Sequence, residues 1–446
     1  MKTRTVIQSG LAILFVALNA CNMPSAKRAA TTTLAPSTEA PRISASPTAT
    51  PNLPATLAPT VPASATAKPT MPPPPTQIPK PNEYITIAQL NLWFHGPGCY
   101  GGFEAFNCSG KRNTNLIPAL GLTYDSASME VIRQQIEWAT KYGVDAFSIE
   151  WTTPREVPGS IENILDDNFL KAPDLHKMRW CIFYDLVLRI QQTPGLKADL
   201  SRGMDFNNPD IYNTFVADFE HFAQKYFKQP QYLKIDDRPV VYIWGTWNAT
   251  GRFVEAFQEA RQKAAQLGFD VYIVGDIIRT DQFNSKLAAV YDANTNFVFF
   301  TPGSPVTTKD VGKAAVDLDK ILTRWEQRIA GLKVTGREET VMLQPGFTPQ
   351  FDNRLGMEVN GGGSSIYVPA LSKDQVIAMA EVARKHAYPV GRQGWKLIWV
   401  NTWNCWGETT TFEPTAAIGA KYPAGNYQFD MVEVIKEVFG AEIFPE

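Results

Sequence analysis

Past Glu83 the chain alternates short apolar runs with longer stretches in which apolar residues return every third or fourth position. The first kind has the period and length of buried strands, the second that of helices with one buried face. Strands are predicted over Tyr84–Trp93, Asp145–Trp151, Arg179–Leu186, Val240–Trp244, Val271–Asp276, Phe297–Phe300, Thr340–Gln344 and Lys396–Asn401. Helices are predicted over Ser128–Tyr142, Ile211–Phe227, Arg252–Leu267, Lys309–Ala330, Lys373–His386 and Asp430–Phe439. Strands interleaved with helices point to a parallel sheet under a helical cover, and eight of them in one domain point to a single (β/α)8 TIM barrel. An open doubly wound sheet is the alternative, but no GxGxxG or GKS/T loop follows the first strand.

Side-chain parity along the second strand adds chemistry to this frame. Phe147 and Ile149 share one face, suited to the outer helices, while Ala146, Ser148 and Glu150 share the other. Glu150 is therefore expected to point inward at the top of the barrel, where such folds keep their active sites. The same argument brings Asn91 and Trp93 to the end of the first strand, Asp185 to the third and Asp276 to the fifth. The last strand runs into Asn401-Thr402-Trp403-Asn404-Cys405-Trp406-Gly407-Glu408 and then Phe412-Glu413-Pro414. With Trp93, Trp151, Trp244, Trp247, Trp403 and Trp406, these carboxylates and amides are expected to line one rim. Aromatic faces pack on the apolar faces of sugar rings, and carboxylates and amides take the hydroxyls. Trp138, Trp325 and Trp395 are expected to fill the layer between barrel and helices. The loop Gly356–Ser365, with its Gly361-Gly362-Gly363 run, is expected to lie over the mouth.

The chain ahead of the barrel reads differently. Lys2 and Arg4 precede the apolar run Leu11–Leu18, which has the form of an export signal and is too short to span a bilayer as a mature helix. Leu18-Asn19-Ala20-Cys21 is similar to a bacterial lipobox, which implies cleavage of residues 1–20 and lipid on Cys21. Residues 21–82 are rich in Pro, Thr, Ala and Ser, with prolines at every position from Pro72 to Pro75, and are expected to form a disordered, extended stalk. The barrel domain is then 83–446. This order predicts an exported lipoprotein, held at the outer face of a membrane. Outside the cytoplasm, Cys99 and Cys108 in their Gly-rich loop are expected to pair as a disulfide, and Cys181 to be an inert core thiol. With 42 Lys and Arg against 44 Asp and Glu, nothing favours nucleic acid as a partner. No CxxC pair or His cluster suggests zinc, and no metal or cofactor is expected. The expected partners are a carbohydrate substrate and the anchoring membrane, with the chain acting as a monomer.

The stretch from Asn401 to Pro414 resembles the N-x-W-N-E-W-x-E-G-…-E-P signature of glycoside hydrolase family 99, the endo-α-mannosidase-like enzymes. Family 71 α-1,3-glucanases carry a related run. Val131-Ile132-Arg133-Gln134-Gln135-Ile136-Glu137-Trp138-Ala139 and Gly143–Trp151 resemble that family's first helix and second strand. The resemblance implies a (β/α)8 fold, retaining cleavage of α-glycosidic bonds, and two catalytic carboxylates in the last motif. The acid/base maps onto Glu408, and the residue that deprotonates the substrate's 2-hydroxyl maps onto Cys405. A thiol, with an ordinary pKa near 8.5, is a poor base at neutral pH. Three readings follow: a rim carboxylate, first Glu150 and then Asp185 or Asp276, fills the vacant role; the protein binds glycans without cutting them; or the barrel serves unrelated chemistry.

Overall fold

The computed structural model describes residues 83–440, apart from 95–113, 115, 122–123, 158–159, 197, 201–202, 279–282, 297–310, 360–366 and 419–427. Eight parallel strands succeed one another: β1 (Tyr84–Leu90), β2 (Ala146–Trp151), β3 (Arg179–Asp185), β4 (Arg238–Trp244), β5 (Tyr272–Asp276), β6 (Ala293–Thr295), β7 (Met342–Gln344) and β8 (Trp395–Val400). Each pairs in parallel with its successor from β1 to β7, and β8 returns beside β1. Closure happens just beyond β7. Pro345 has no N–H for a ladder, and its carbonyl accepts from Trp399 N at 2.9 Å. Gly346–Phe347 then pairs with Trp399–Val400 of β8. One segment thus serves β6 before the proline and β8 after it, and the sheet becomes a barrel.

Among the described residues six long helices cover the outside: α1 (Met129–Lys141), α2 (Pro209–Lys225), α3 (Phe253–Gln266), α4 (Ala314–Ile329), α5 (Lys373–Lys385) and α6 (Asp430–Phe439). Their starts carry recognisable caps. Asn208 accepts from Asp210 N ahead of α2, with Pro209 in the first turn, and Ser372 forms a reciprocal capping box with Gln375 at α5. Each turns an apolar stripe inward; in α4 it is Leu318, Ile321, Leu322, Trp325 and Ile329. Every such large side chain taken from water contributes roughly 1.5–3 kcal/mol.

Inside the barrel, Trp399 of β8 stacks between Tyr242 of β4 at 4.3 Å and Phe183 of β3 at 5.7 Å. Gln344 of β7 donates to the Tyr242 hydroxyl at 2.6 Å. These large side chains fill the barrel centre, so any ligand must enter above them, at the carboxyl ends of the strands. The loops there are laced together. Leu116–Pro118, in the loop after β1, pairs antiparallel with Thr415–Ile418, in the loop after β8.

Seven of the eight predicted strands overlap observed ones, with ends moved by a few residues. The exception is Phe297–Phe300, which lies outside the described residues; the sixth strand is the more polar Ala293–Thr295. Of the predicted mouth loop, Arg354–Val359 is a short helix and the rest, from residue 360, lies outside the described residues. So do the signal sequence with Cys21, the stalk, and the Cys99–Cys108 pair.

Candidate active site

At the end of β8 the chain closes on itself as a buried loop. Thr402 N donates to Thr410 O at 2.7 Å, Phe412 N to Thr402 O at 2.9 Å and Glu413 N to Trp403 O at 2.7 Å. The loop is also pinned to β1. Trp403 N donates to Gln89 O at 2.7 Å, and the Asn404 amide clamps the Asn91 backbone, accepting from its N–H at 2.8 Å and donating to its carbonyl at 2.9 Å. Asn404 thus continues the β1–β8 ladder with a side chain where the backbone has turned away.

Within this frame three carboxyl groups come together. Glu150, from β2, is hydrogen-bonded to Asp185 at the end of β3 and lies within electrostatic range of Glu408. All three are buried. Gln89 Nε2 donates to Glu150 Oε2 at 2.7 Å and to Asn91 Oδ1 at 3.2 Å. Burial, then the negative neighbours Asp185 and Glu408, push the Glu150 carboxyl well above the usual carboxylate range. The three acidic groups thus raise one another's proton affinity, and the effect falls on Glu150.

Other candidates meet at the same level. Asp185 and Trp244 are in register, and the β4–β5 register brings Asp276 beside Trp244. Trp244 stands edge-to-face with Trp247 at 5.0 Å. Asn401 is fully buried at the end of β8, and neither its amide oxygen nor its nitrogen has a hydrogen-bond partner. Trp93 is buried against Phe94 at 6.1 Å, and Trp406 lies buried in the loop after β8.

Three expected site residues are placed elsewhere, and a fourth, Cys405, stays beside Glu408 with its chemistry changed. Trp151 faces the helices: its ring stands edge-on to Phe222 of α2 at 4.8 Å, beneath the Arg189 guanidinium. Trp403 likewise packs outside the sheet, edge-on to Phe147 at 5.3 Å. Glu413 is buried against Gln135 of α1 and Tyr124, each 3.4 Å away, so it is closed to a sugar. Burial pushes its carboxyl up to about 8 against the lowering effect of those two donors. Cys405 has no thiol to titrate, because its sulfur is in a disulfide. The other sulfur lies outside the described residues, since the other cysteine among them, Cys181, is a buried free thiol. Cys405 Sγ approaches Glu408 Oε2 at 3.7 Å as a contact, with no proton to give.

Gln89, Tyr124 and Gln135 escaped the reading of the sequence. For Gln89 the signal existed: a polar residue at an inward position of a mostly apolar strand. Among the described residues, no group of three or more His, Cys, Asp or Glu side chains is arranged to hold a metal ion.

A family model described as glycosyltransferase WbsX matches residues 211–424, just under half of the chain. No curated protein matches it. Among solved structures, the chain is similar to the family 99 endo-α-mannosidase of Bacteroides thetaiotaomicron, at 15% identity and a TM-score of 0.52, over 80% of this chain and 97% of that one. It is also similar to a glycoside hydrolase-like protein, at 19% identity and a TM-score of 0.53, over 82% of this chain and 98% of that one. At these identities what is shared is the (β/α)8 fold.

Proposed function

We propose that the protein is a glycoside hydrolase cleaving α-linked oligo- or polysaccharide of the α-mannan or α-glucan type, tethered to the outer face of a membrane through lipid on Cys21. The observation that carries this reading is the buried group of Glu150, Asp185 and Glu408 at the mouth of a barrel that shares the fold of an endo-α-mannosidase. Hydrolysis of a glycoside needs one carboxyl to protonate the leaving oxygen and another group to accept a proton or attack. Glu408 takes the first role, as its motif position implies. A carboxyl of the Glu150–Asp185 pair takes the second in place of the residue at 405. Trp244 and Trp247 offer apolar faces to a sugar ring, and the Asn401 amide offers one donor group and one acceptor to its hydroxyls.

The Cys405 disulfide favours a second reading, a surface protein that binds glycan at a degenerate site. The glycosyltransferase description of the matching family model suggests a third outcome, in which the sugar passes to another hydroxyl rather than to water. Reducing ends released from a panel of α-mannans and α-glucans separate the three. The hydrolase reading expects release, and Glu408→Gln lowers it by about 10²–10⁴-fold with binding retained. Binding without release supports the lectin-like reading. Redistributed chain lengths without new reducing ends support transfer. Full activity in Glu408→Gln overturns the assignment of the acid.

A further inference from the structure

Beside the carboxyl cluster runs a line of buried hydrogen bonds that the chemistry above does not use. It starts at Glu413. The Tyr124 hydroxyl accepts from Asn404 Nδ2 at 2.9 Å and from Gln135 Nε2 at 3.2 Å, which leaves its one proton to donate to Glu413 Oε2 at 3.4 Å. The Asn404 amide, turned by that bond, takes the Asn91 N–H at 2.8 Å and gives to the Asn91 carbonyl at 2.9 Å. Asn91 Oδ1 accepts from Gln89 Nε2 at 3.2 Å, and the same nitrogen donates to Glu150 Oε2 at 2.7 Å. Every member is buried, so no water is at hand to replace a lost partner.

We propose that Glu413 is a positioning residue: through Tyr124 and Asn404 it holds the end of β1, and with it the Gln89 amide that orients Glu150. The role is stated for the site proposed above and rests on that reading. Glu413 suits it as a neutral acid. Its Oε1 has no hydrogen-bond partner, which makes it the place for the proton, while Oε2 accepts from Tyr124 and Gln135. The titratable group facing it is Tyr124, from the loop before α1. Gln135 on α1 and Asn404 after β8 are neutral, and burial holds both Glu413 and Tyr124 in their protonated forms.

Hydrogen exchange at the Asn91 amide, with kcat and KM on a cleaved glycan, tests the proposal in the full-length protein. Tyr124→Phe removes the acceptor of Asn404 and should speed exchange at Asn91 about fivefold, the factor for one buried hydrogen bond, while strands β4–β6 stay protected. Glu413→Leu should match it. Glu413→Gln, which keeps an acceptor oxygen for Tyr124, should restore the slow exchange. The kinetic expectation for Tyr124→Phe is a kcat about tenfold lower at unchanged KM, because a misplaced acid–base group costs rate rather than binding. Exchange at Asn91 within about twofold of wild type in Tyr124→Phe, or faster exchange spread evenly over the barrel, overturns the proposal. A wild-type protein that cleaves no glycan defeats the hydrolase reading instead, and the exchange rates still decide whether Glu413 holds β1.

Discussion

Glu413→Gln should make the protein more resistant to alkali. In the folded chain burial pushes the Glu413 carboxyl up to about 8, against an ordinary 4.5 when the chain unfolds and the group is hydrated. Below pH 4.5 both states hold the proton, and the group's contribution to stability is fully present. Between 4.5 and 8 the unfolded chain releases it while the folded one does not, so stability falls as pH rises. Above 8 both are ionised and the loss is complete. A gap of about 3.5 pH units at about 1.36 kcal/mol each sets the full loss at about 5 kcal/mol. Glutamine keeps the size and an acceptor oxygen, and removes the titration. Urea unfolding of both proteins at pH 5.5, 6.5 and 7.5 reads the difference, because every other titrating group is common to the pair. The variant should gain about 3 kcal/mol on wild type across that range, with unchanged m-values. Curves for the two proteins that run parallel within about 0.5 kcal/mol would refute a neutral, buried Glu413.

Two further outcomes are expected. Mass spectrometry of a non-reduced digest should find Cys405 joined to Cys99 or Cys108, and the amino-terminal fragment should carry lipid on Cys21. With Cys405 bonded and Cys181 free, lipid on Cys21 and a Cys99–Cys108 bridge exclude each other, so finding that bridge would dismiss the anchor. Trp151→Ala should cost about 3–5 kcal/mol in urea unfolding and leave glycan affinity unchanged, as befits a ring buried against α2; a loss of affinity at unchanged stability would return Trp151 to the mouth.

How much of this could be read in advance depended on whether a residue's partner is near in sequence. Strands buried on both faces announce themselves as apolar runs, and that is why β1–β5, β7 and β8 were legible. β6 was not, because Ala293-Asn294-Thr295 is short and mostly polar; Asn294 Nδ2 finds a carbonyl at Ala288, at 3.3 Å. The apolar run four residues on drew the prediction instead. The outward position of Trp151 follows from the strand itself. Successive side chains of a strand point to opposite faces, so the parity that turned Glu150 inward had already turned Trp151 outward. Glu413 is the opposite case. Its partners Gln135 and Tyr124 lie 278 and 289 residues away, and no local pattern separates a carboxyl that binds sugar from one that braces a loop.

Cys405 brings both limits together. Its position in the motif was legible, and from it came the concern that a thiol makes a weak base; that its sulfur is bonded depends on a partner elsewhere in the chain. The bond removes the question of its pKa and changes the electrostatics of its neighbour. A carboxylate at 405 would set a second negative charge about as far from Glu408 as Sγ now lies, 3.7 Å. At the effective dielectric of a protein site, such a pair repels by roughly 4 kcal/mol. The disulfide removes that repulsion from Glu408, and the acidic neighbour within its electrostatic range is Glu150, which stands on β2. The carboxyl groups that meet at the mouth are therefore assembled from β2, β3 and the loop after β8 rather than from a single motif.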